Sequence, residues 1–160
     1  MINDNVFFFL KFKNDVRFFY DSLPLSQALI LMKKHGYSAV PVVSRSGVYL
    51  GSVSEGDFLW FLLEHGNDEK ALENHTISEL IREGFMPAAP NTISFEDLLA
   101  ISLNQNYVPI VDDRNIFIGI VTRQAILNYF LESRRSLSLS PKMIELERYE
   151  KPLAAKSLHV

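Results

Sequence analysis

The sequence predicts an α/β fold of the α+β kind, in which two copies of a β-α-β-β-α unit pack as a pseudo-two-fold pair. Three observations lead there. The segment Val40-Pro41-Val42-Val43 recurs as Val108-Pro109-Ile110-Val111, and this offset of 68 residues runs without a gap to the end of the following helix. Identities and apolar positions both follow the offset: Gly51 falls on Gly119, Val53 on Val121, Ser54 on Thr122, Tyr49 on Phe117 and Phe58 on Ile126. Each copy also carries the same order of strand and helix signals. A repeat on this scale means two copies of one supersecondary unit sharing a core.

The elements follow in order. Val16 to Tyr20 is short and β-rich. Leu25, Ala28, Leu29 and Met32 fall at helical spacing, with Pro24 at the start and Lys33, Lys34 and Gly36 at the end. Ala39 to Val43 and Val48 to Val53 form a strand pair around Ser44-Arg45-Ser46-Gly47. The helix from Asp57 to Glu64 is almost entirely apolar (Phe58, Leu59, Trp60, Phe61, Leu62, Leu63) and is expected to be buried on several faces. Thr76 and Glu79 should cap a short connecting helix that ends near Gly84. In the second copy Ser94 and Asp97 form a cap, with Ile93 and Leu98 placed as a hydrophobic staple, and the helix runs to about Asn104. Strands at Val108 to Val111 and Phe117 to Val121 flank Asp112-Asp113-Arg114-Asn115, and the last helix spans about Arg123 to Ser133. Upstream of Val40 the register of the repeat slips by about two residues. The expected organisation is therefore a first unit over 6–66, a linker over 67–84, a second unit over 85–133 and a mobile tail over 134–160.

Composition narrows the function classes. Hydrophobic residues make up 48% of the 160, with twelve Phe, which is more apolar surface than one such core needs and points to self-association. A net charge of −3 lacks the basic face of a nucleic-acid binder. The absence of Cys removes disulfides, thiolate metal sites and Cys nucleophiles. Val6-Phe7-Phe8-Phe9-Leu10 is too short to span a bilayer and lacks the flanks of a signal peptide, so a cytoplasmic, soluble protein with no membrane partner is expected. His35, His65, His75 and His159 are scattered without metal-ligand spacing, so no metal is expected. There is no nucleophile beside a base and no phosphate-cradling glycine loop, and the chain does not read as an enzyme.

Gly51-Ser52-Val53-Ser54-Glu55-Gly56-Asp57-Phe58 carries the chemistry. Ser54 and Asp57 have the spacing of a capping box, in which each satisfies an orphan backbone N–H of the other. The second copy keeps Gly119 and Thr122 but has Ala125 where the acid would stand. If capping were the sole purpose, that substitution would cost about 1 kcal/mol. The choice between a cap and a ligand contact remains open on these residues alone.

The repeated unit with its G-x-x-[ST]-x-x-[DN] ending resembles the tandem CBS domain, or Bateman module, over residues 6 to 133, and the chain looks like the small stand-alone regulatory members. The resemblance implies clefts between the units that bind adenine nucleotides such as AMP, ADP, ATP or cyclic di-AMP, or S-adenosylmethionine. Carried over by position, Asp57 would accept from the ribose diol and Ser54 would meet a phosphate or ribose oxygen. Tyr37, Ser38, Ala39 and Pro41 would lie near the adenine of that site. Thr122 and Arg123 would lie at the phosphates of the second site, with Asn106, Tyr107 and Pro109 along its base. Lys11 and Lys13 flank Phe12 where relatives approach the ligand, either on a phosphate or solvated. The physics agrees: a carboxylate accepts two hydroxyls at once, and phosphate suits a helix N-terminus. Arg123 opposes the dipole at its own helix start, which favours a phosphate-facing role.

Two readings follow: a non-catalytic sensor that signals through a homodimer to an unidentified effector protein, or a ligand-free dimerisation scaffold. The dimer face is expected on the helices Phe58 to Leu63 and Ile126 to Leu131. No cofactor beyond the regulatory nucleotide is implied.

Overall fold

A computed structural model describes residues 5–138. The first unit holds β2 (Phe19–Tyr20), α1 (Leu25–His35), β3 (Ala39–Val43), β4 (Tyr49–Ser54) and α2 (Glu55–His65); β1 (Lys11–Phe12) precedes it. The linker contributes α3 (Glu69–Asn74) and a 3-10 turn at Ile77–Leu80. The second unit holds β5 (Ala89–Pro90), α4 (Phe95–Ser102), β6 (Tyr107–Val111), β7 (Phe117–Thr122) and α5 (Arg123–Ser138). The expected β-α-β-β-α order thus appears twice.

Local chemistry explains the boundaries. α1 starts behind Pro24, buries Leu25, Ala28 and Met32 on one stripe, and stops at Gly36, whose φ of 67° lets its N–H return to the Met32 carbonyl. In each unit the second and third strands form an antiparallel hairpin, with Ala39 opposite Ser54 and Tyr107 opposite Thr122. The first strand of each unit then pairs in parallel, Phe19 with Val42 and Ala89 with Ile110. The 3-10 turn carries the expected Thr76–Glu79 capping box. Ser94 Oγ accepts from the Asp97 N–H and donates to Asp97 Oδ2, which closes the start of α4.

The two units meet tip to tip around their pseudo-two-fold. Tyr49 N–H donates to the Asn115 carbonyl over 3.1 Å, and Phe117 N–H donates to the Gly47 carbonyl over 2.9 Å. These are the same bond generated twice by the offset of 68. Val43, Tyr49, Val111 and Phe117 form a small core at this junction, between the larger cores of the individual units.

Three expectations need correction. Residues 6–12, assigned to the first unit, belong to the second. Val6, Phe9 and Leu10 lie in its core, and β1 pairs with β7, giving the sheet order β1-β7-β6-β5 against β2-β3-β4. Gly119 makes this possible, because a Cβ there would collide with the Lys11 carbonyl oxygen. The first copy's Gly51 makes room for Ile81 of the linker instead, whose Cγ2 would stand 2.6 Å from an added Cβ. The helix α2 is not buried on several faces: Asp57, Phe58 and Phe61 are buried, while Leu59, Trp60 and Leu63 are more than half exposed. Its hydrophobicity exceeds what one chain can cover. The last helix passes the expected end at Ser133 and continues to Ser138, the last described residue, since no Pro occurs before Pro141. The rest of the expected tail, 139–160, lies outside the described residues. The helix α3 was not expected; its start is Asp68, whose side chain accepts from the Lys70 N–H. Among the described residues no helix is long and apolar enough to cross a membrane.

Candidate functional site

Strand alternation places Tyr37, Ala39 and Pro41 on one wall of a cleft between the units. The facing wall is Tyr107 and Ile120 of the second unit, and Lys11, Asp15, Val16 and Arg17 complete a cavity of about 260 Å³. The lining has the mixture expected of a small-molecule site: aromatic and aliphatic walls with a few polar groups. Lys11, Asp15 and Arg17 are exposed, which puts two cations and one carboxylate at its polar side.

The repeat generates a pseudo-equivalent of this cleft, lined by different side chains. Asp15, Val16 and Arg17 map by an offset of 70 onto Phe85, Met86 and Pro87, while Tyr37 maps by 68 onto Gln105. Gln105 is buried and donates to the Pro87 and Tyr107 carbonyls. Tyr49 donates to the Met86 carbonyl over 2.6 Å, and Tyr107 donates to Ser52 Oγ over 2.7 Å. With its own phenolic proton committed to Met86, Tyr49 accepts from Ser52 at 3.0 Å, so the chain runs Tyr107 to Ser52 to Tyr49 to Met86. Burial pushes the Tyr49 phenol up to about 12, partly offset by its Ser52 bond, and pushes the Tyr107 phenol up as well. What remains open on this side is a cavity of about 350 Å³ lined by Gly84, Phe85, Met86, Pro87, Ile101, Asn104 and Gln105.

Asp57 does not share the open cleft with Tyr37, Ala39 and Pro41, contrary to the expected grouping. One turn into α2, its buried carboxylate turns to the linker. Oδ2 accepts from the Ser54 N–H at 2.7 Å and from Ser54 Oγ at 2.8 Å, and Oδ1 pairs with Arg82 Nε at 2.6 Å. The expected capping box is thus present, with an ion pair added. Asp57 lines a separate side cavity of about 330 Å³ with Trp60, Phe61, Glu64, His65, His75, Glu79, Leu80 and Arg82. Within it His65 stacks on Phe61 at 4.1 Å and lies 5.1 Å from His75, which bonds Glu79. Among the described residues no group of three or more His, Asp or Glu is arranged to hold a metal.

The second copy's residues divide. Thr122 Oγ1 accepts from the Ala125 N–H at 3.2 Å, so it caps α5 without a partner acid, and it sits opposite Tyr107 on the hairpin beside the open cleft. Arg123 does not point to a phosphate position. Its Nε donates to the Ser102 carbonyl at 2.6 Å and to the Gln105 carbonyl at 3.2 Å. The cation misplaced for its own helix therefore closes the C-terminus of α4, the end that the macrodipole makes negative and that has no glycine cap. Pro109 is buried within β6, and Asn106 and Ser38 are exposed; their carbonyls accept the N–H groups of Arg123 and Glu55 in matching bonds at the two helix starts. Lys13 lies over the Phe18 ring at 5.2 Å, whereas its neighbour Lys11 lines the cleft.

Sequence reasoning missed Arg17, Asp15 and Arg82. Each sits in a connecting segment where an isolated charge carries no periodic signal. The duplication held the clue to Arg17: the residues preceding β5, its counterparts, contribute to the second cleft.

Comparison with known proteins supports this architecture. The family model described as CBS domain matches residues 12–64 and 76–132. The CbpB protein of Listeria monocytogenes in complex with c-di-AMP superposes with a TM-score of 0.73 at 22% identity, covering 86% of this chain and 100% of that one. A hypothetical conserved protein of Geobacillus kaustophilus gives 0.73 at 25% identity, over 83% and 99% of the two chains. CBSX2 in complex with AMP, a CBS-pair protein of Arabidopsis thaliana, gives 0.67 at 19%, over 82% and 99%. No curated protein matches the chain.

Proposed function

The chain belongs to the CBS-domain family, and from that premise we propose that it is a non-catalytic sensor module taking an adenine nucleotide into the open cleft between its units. One observation carries the reading: the cleft is walled by both copies at once, Tyr37, Ala39 and Pro41 from one and Tyr107 and Ile120 from the other. A ligand held there bridges the units and biases their relative geometry, which is what a sensor requires. The base lies along Tyr37 and the β3 wall, and stacking on an aromatic ring contributes about 1–3 kcal/mol per base. Lys11 and Arg17, the two cations of the lining, meet the phosphate. Similar folds crystallised with c-di-AMP and with AMP support an adenine ligand.

The output runs through a homodimer. Leu59, Trp60 and Leu63 of α2 and Leu127 and Leu131 of α5 are exposed apolar residues, and their burial against a second chain would couple cleft geometry to assembly. The ligand-free scaffold reading rests on Ala125 and on the net charge of −3.

Calorimetry and thermal melting with AMP, ADP, ATP, cyclic di-AMP and S-adenosylmethionine separate the two. A ligand at 100 times its dissociation constant adds about 2.7 kcal/mol of stability. Tyr37→Ala should weaken that ligand by about 5- to 150-fold. No binding of any of the five would leave the scaffold.

A further inference from the structure

Two histidines that the sequence scatters are brought together by the fold. His65 is the last residue of α2, and His75 follows α3, ten residues on. Their rings lie 5.1 Å apart, centre to centre, at 59°, and both line the side cavity of about 330 Å³. The two sit on different elements, so no helical or strand period announces the pair.

Each ring is held through one nitrogen. His65 Nδ1 lies 3.1 Å from the Phe61 carbonyl, which accepts only from an N–H, and the ring stacks on Phe61 at 4.1 Å. His75 Nδ1 donates to Glu79 Oε1 over 2.8 Å. The other oxygen of that carboxylate accepts the Thr76 N–H at 2.8 Å, so the acid is itself fixed in place. A proton committed to Nδ1 leaves Nε2 of the neutral ring as a lone pair. An imidazole that donates from one nitrogen to a carbonyl or carboxylate is oriented to bind a metal through the other. The separation agrees: two imidazoles on one tetrahedral cation, each about 2.0–2.1 Å from it, hold their ring centres about 5 Å apart. The backbone beneath His75 is anchored as well, because its carbonyl accepts the Leu25 N–H at the start of α1 over 3.0 Å.

We propose that His65 and His75 form a site for a divalent transition cation, bound through both Nε2 atoms, which clips the last turn of α2 to the linker. Imidazole nitrogen suits Zn²⁺, Co²⁺, Ni²⁺ and Cu²⁺, whereas Mg²⁺ and Ca²⁺ favour oxygen. Asp57 and Glu79 stay outside the coordination: Ser54 and Arg82 take the first, and His75 and Thr76 take the second. Two protein ligands therefore hold the cation, and water completes its shell. Bound there, the cation closes the ten-residue excursion through α3 and fixes the helix whose Leu59, Trp60 and Leu63 are exposed. The site uses no residue of the open cleft and does not depend on the nucleotide reading.

Calorimetric titration of the chelator-treated full chain with ZnCl₂, at about pH 7.5 where imidazole is neutral, tests the proposal alongside thermal melting. One equivalent per chain is expected, with Tm rising as Zn²⁺ is added and unmoved by Mg²⁺. His65→Ala and His75→Ala should each abolish the Zn²⁺-dependent rise. Glu79→Gln, which leaves both ligands in place, should weaken binding by about 10- to 100-fold, because it loosens the ring that Glu79 orients. No response to Zn²⁺, Co²⁺ or Ni²⁺ overturns the proposal, as does binding of parental affinity in either alanine variant. Half an equivalent per chain with a doubled mass in light scattering also overturns it, since the cation would then lie between chains. Parental affinity in Glu79→Gln overturns the orienting role of that carboxylate. Should an alanine variant fail to fold, the Gln variant at the same position replaces it, with the same expected loss and the same overturning result.

Discussion

Tyr107 donates to Ser52 Oγ over 2.7 Å, so a residue on the wall of the open cleft is bonded directly to the opposite unit. Ser52 is the middle of a directed chain, and its two neighbours are not equivalent. Tyr107→Phe removes one donor and leaves Ser52 still bonded to Tyr49, a loss of about 1 kcal/mol, or ~2–4 °C in melting temperature for a chain of this size. Ser52→Ala strands the buried Tyr107 hydroxyl and removes a bond to Tyr49, a loss of about 2 kcal/mol. Thermal melts of both variants check the order, and equal losses would contradict the direction assigned to the chain.

The same phenols set the alkaline limit. Tyr49 is raised from 10.0 to about 12, so the folded state holds its proton more tightly than the unfolded chain does. The stability this represents is complete below pH ~10 and is lost as the pH rises through the window up to about 12, while the unfolded phenol ionises first. Alkaline unfolding followed by tyrosinate absorbance should therefore begin within that window, and Tyr49→Phe should flatten the pH dependence there. A stability constant across this range would show that Tyr49 is not buried as described.

Arg123→Ala removes the donor to the Ser102 and Gln105 carbonyls at the end of α4. The expected loss is about 1–2 kcal/mol in chemical denaturation, with nucleotide affinity unchanged within about twofold. A large loss of affinity with unchanged stability would return Arg123 to the phosphate role that its position in the repeat suggested.

The motif glycines should respond unequally to Ala. At Gly119 the obstacle is the Lys11 backbone, so Gly119→Ala must displace β1 and should cost more than about 3 kcal/mol. At Gly51 the obstacle is the Ile81 side chain, which can rotate, and the cost should be about 1–3 kcal/mol. Denaturant melts rank the two; the reverse order would argue against β1 pairing on β7.

Leu63→Glu on the exposed face of α2 should leave the fold of one chain within about 0.5 kcal/mol of the parent while halving the assembled mass in light scattering. An assembly state that does not respond would rule out this face of α2 as the contact of the proposed dimer.

The fold was legible because the chain states it twice. An offset that holds through hairpin and helix fixes the order of elements within each unit, and local signals at Ser54, Ser94 and Gly36 mark helix ends without any long-range information. What stayed hidden is what the two copies do to each other. Nothing local marks Val6, Phe9 and Leu10 as belonging to the far unit, because a short apolar run does not name its partner strand. Arg123 was misread for a related reason: its position on its own helix was unfavourable, and the compensating carbonyls belong to another helix about 20 residues away. The capping box of Ser54 and Asp57 was legible, but the pairing of Asp57 with Arg82 links residues 25 apart in a segment with no periodicity. Charges in connecting loops are the least predictable part of such a site, and here Asp15 and Arg17 join Lys11 at the polar side of the open cleft.

The strand at Lys11 and Phe12 closes the chain into a loop, the first strand completing a sheet built more than 100 residues later. Cutting the molecule at the linker would not yield two autonomous halves: the trailing piece would lack its outermost strand and the leading piece would carry an orphan. Assembly of the trailing sheet must also await a long chain closure, which slows folding relative to a tandem array of self-contained modules. Any tether or cargo fused ahead of Val6 would thus report on the half of the protein farthest from it in sequence.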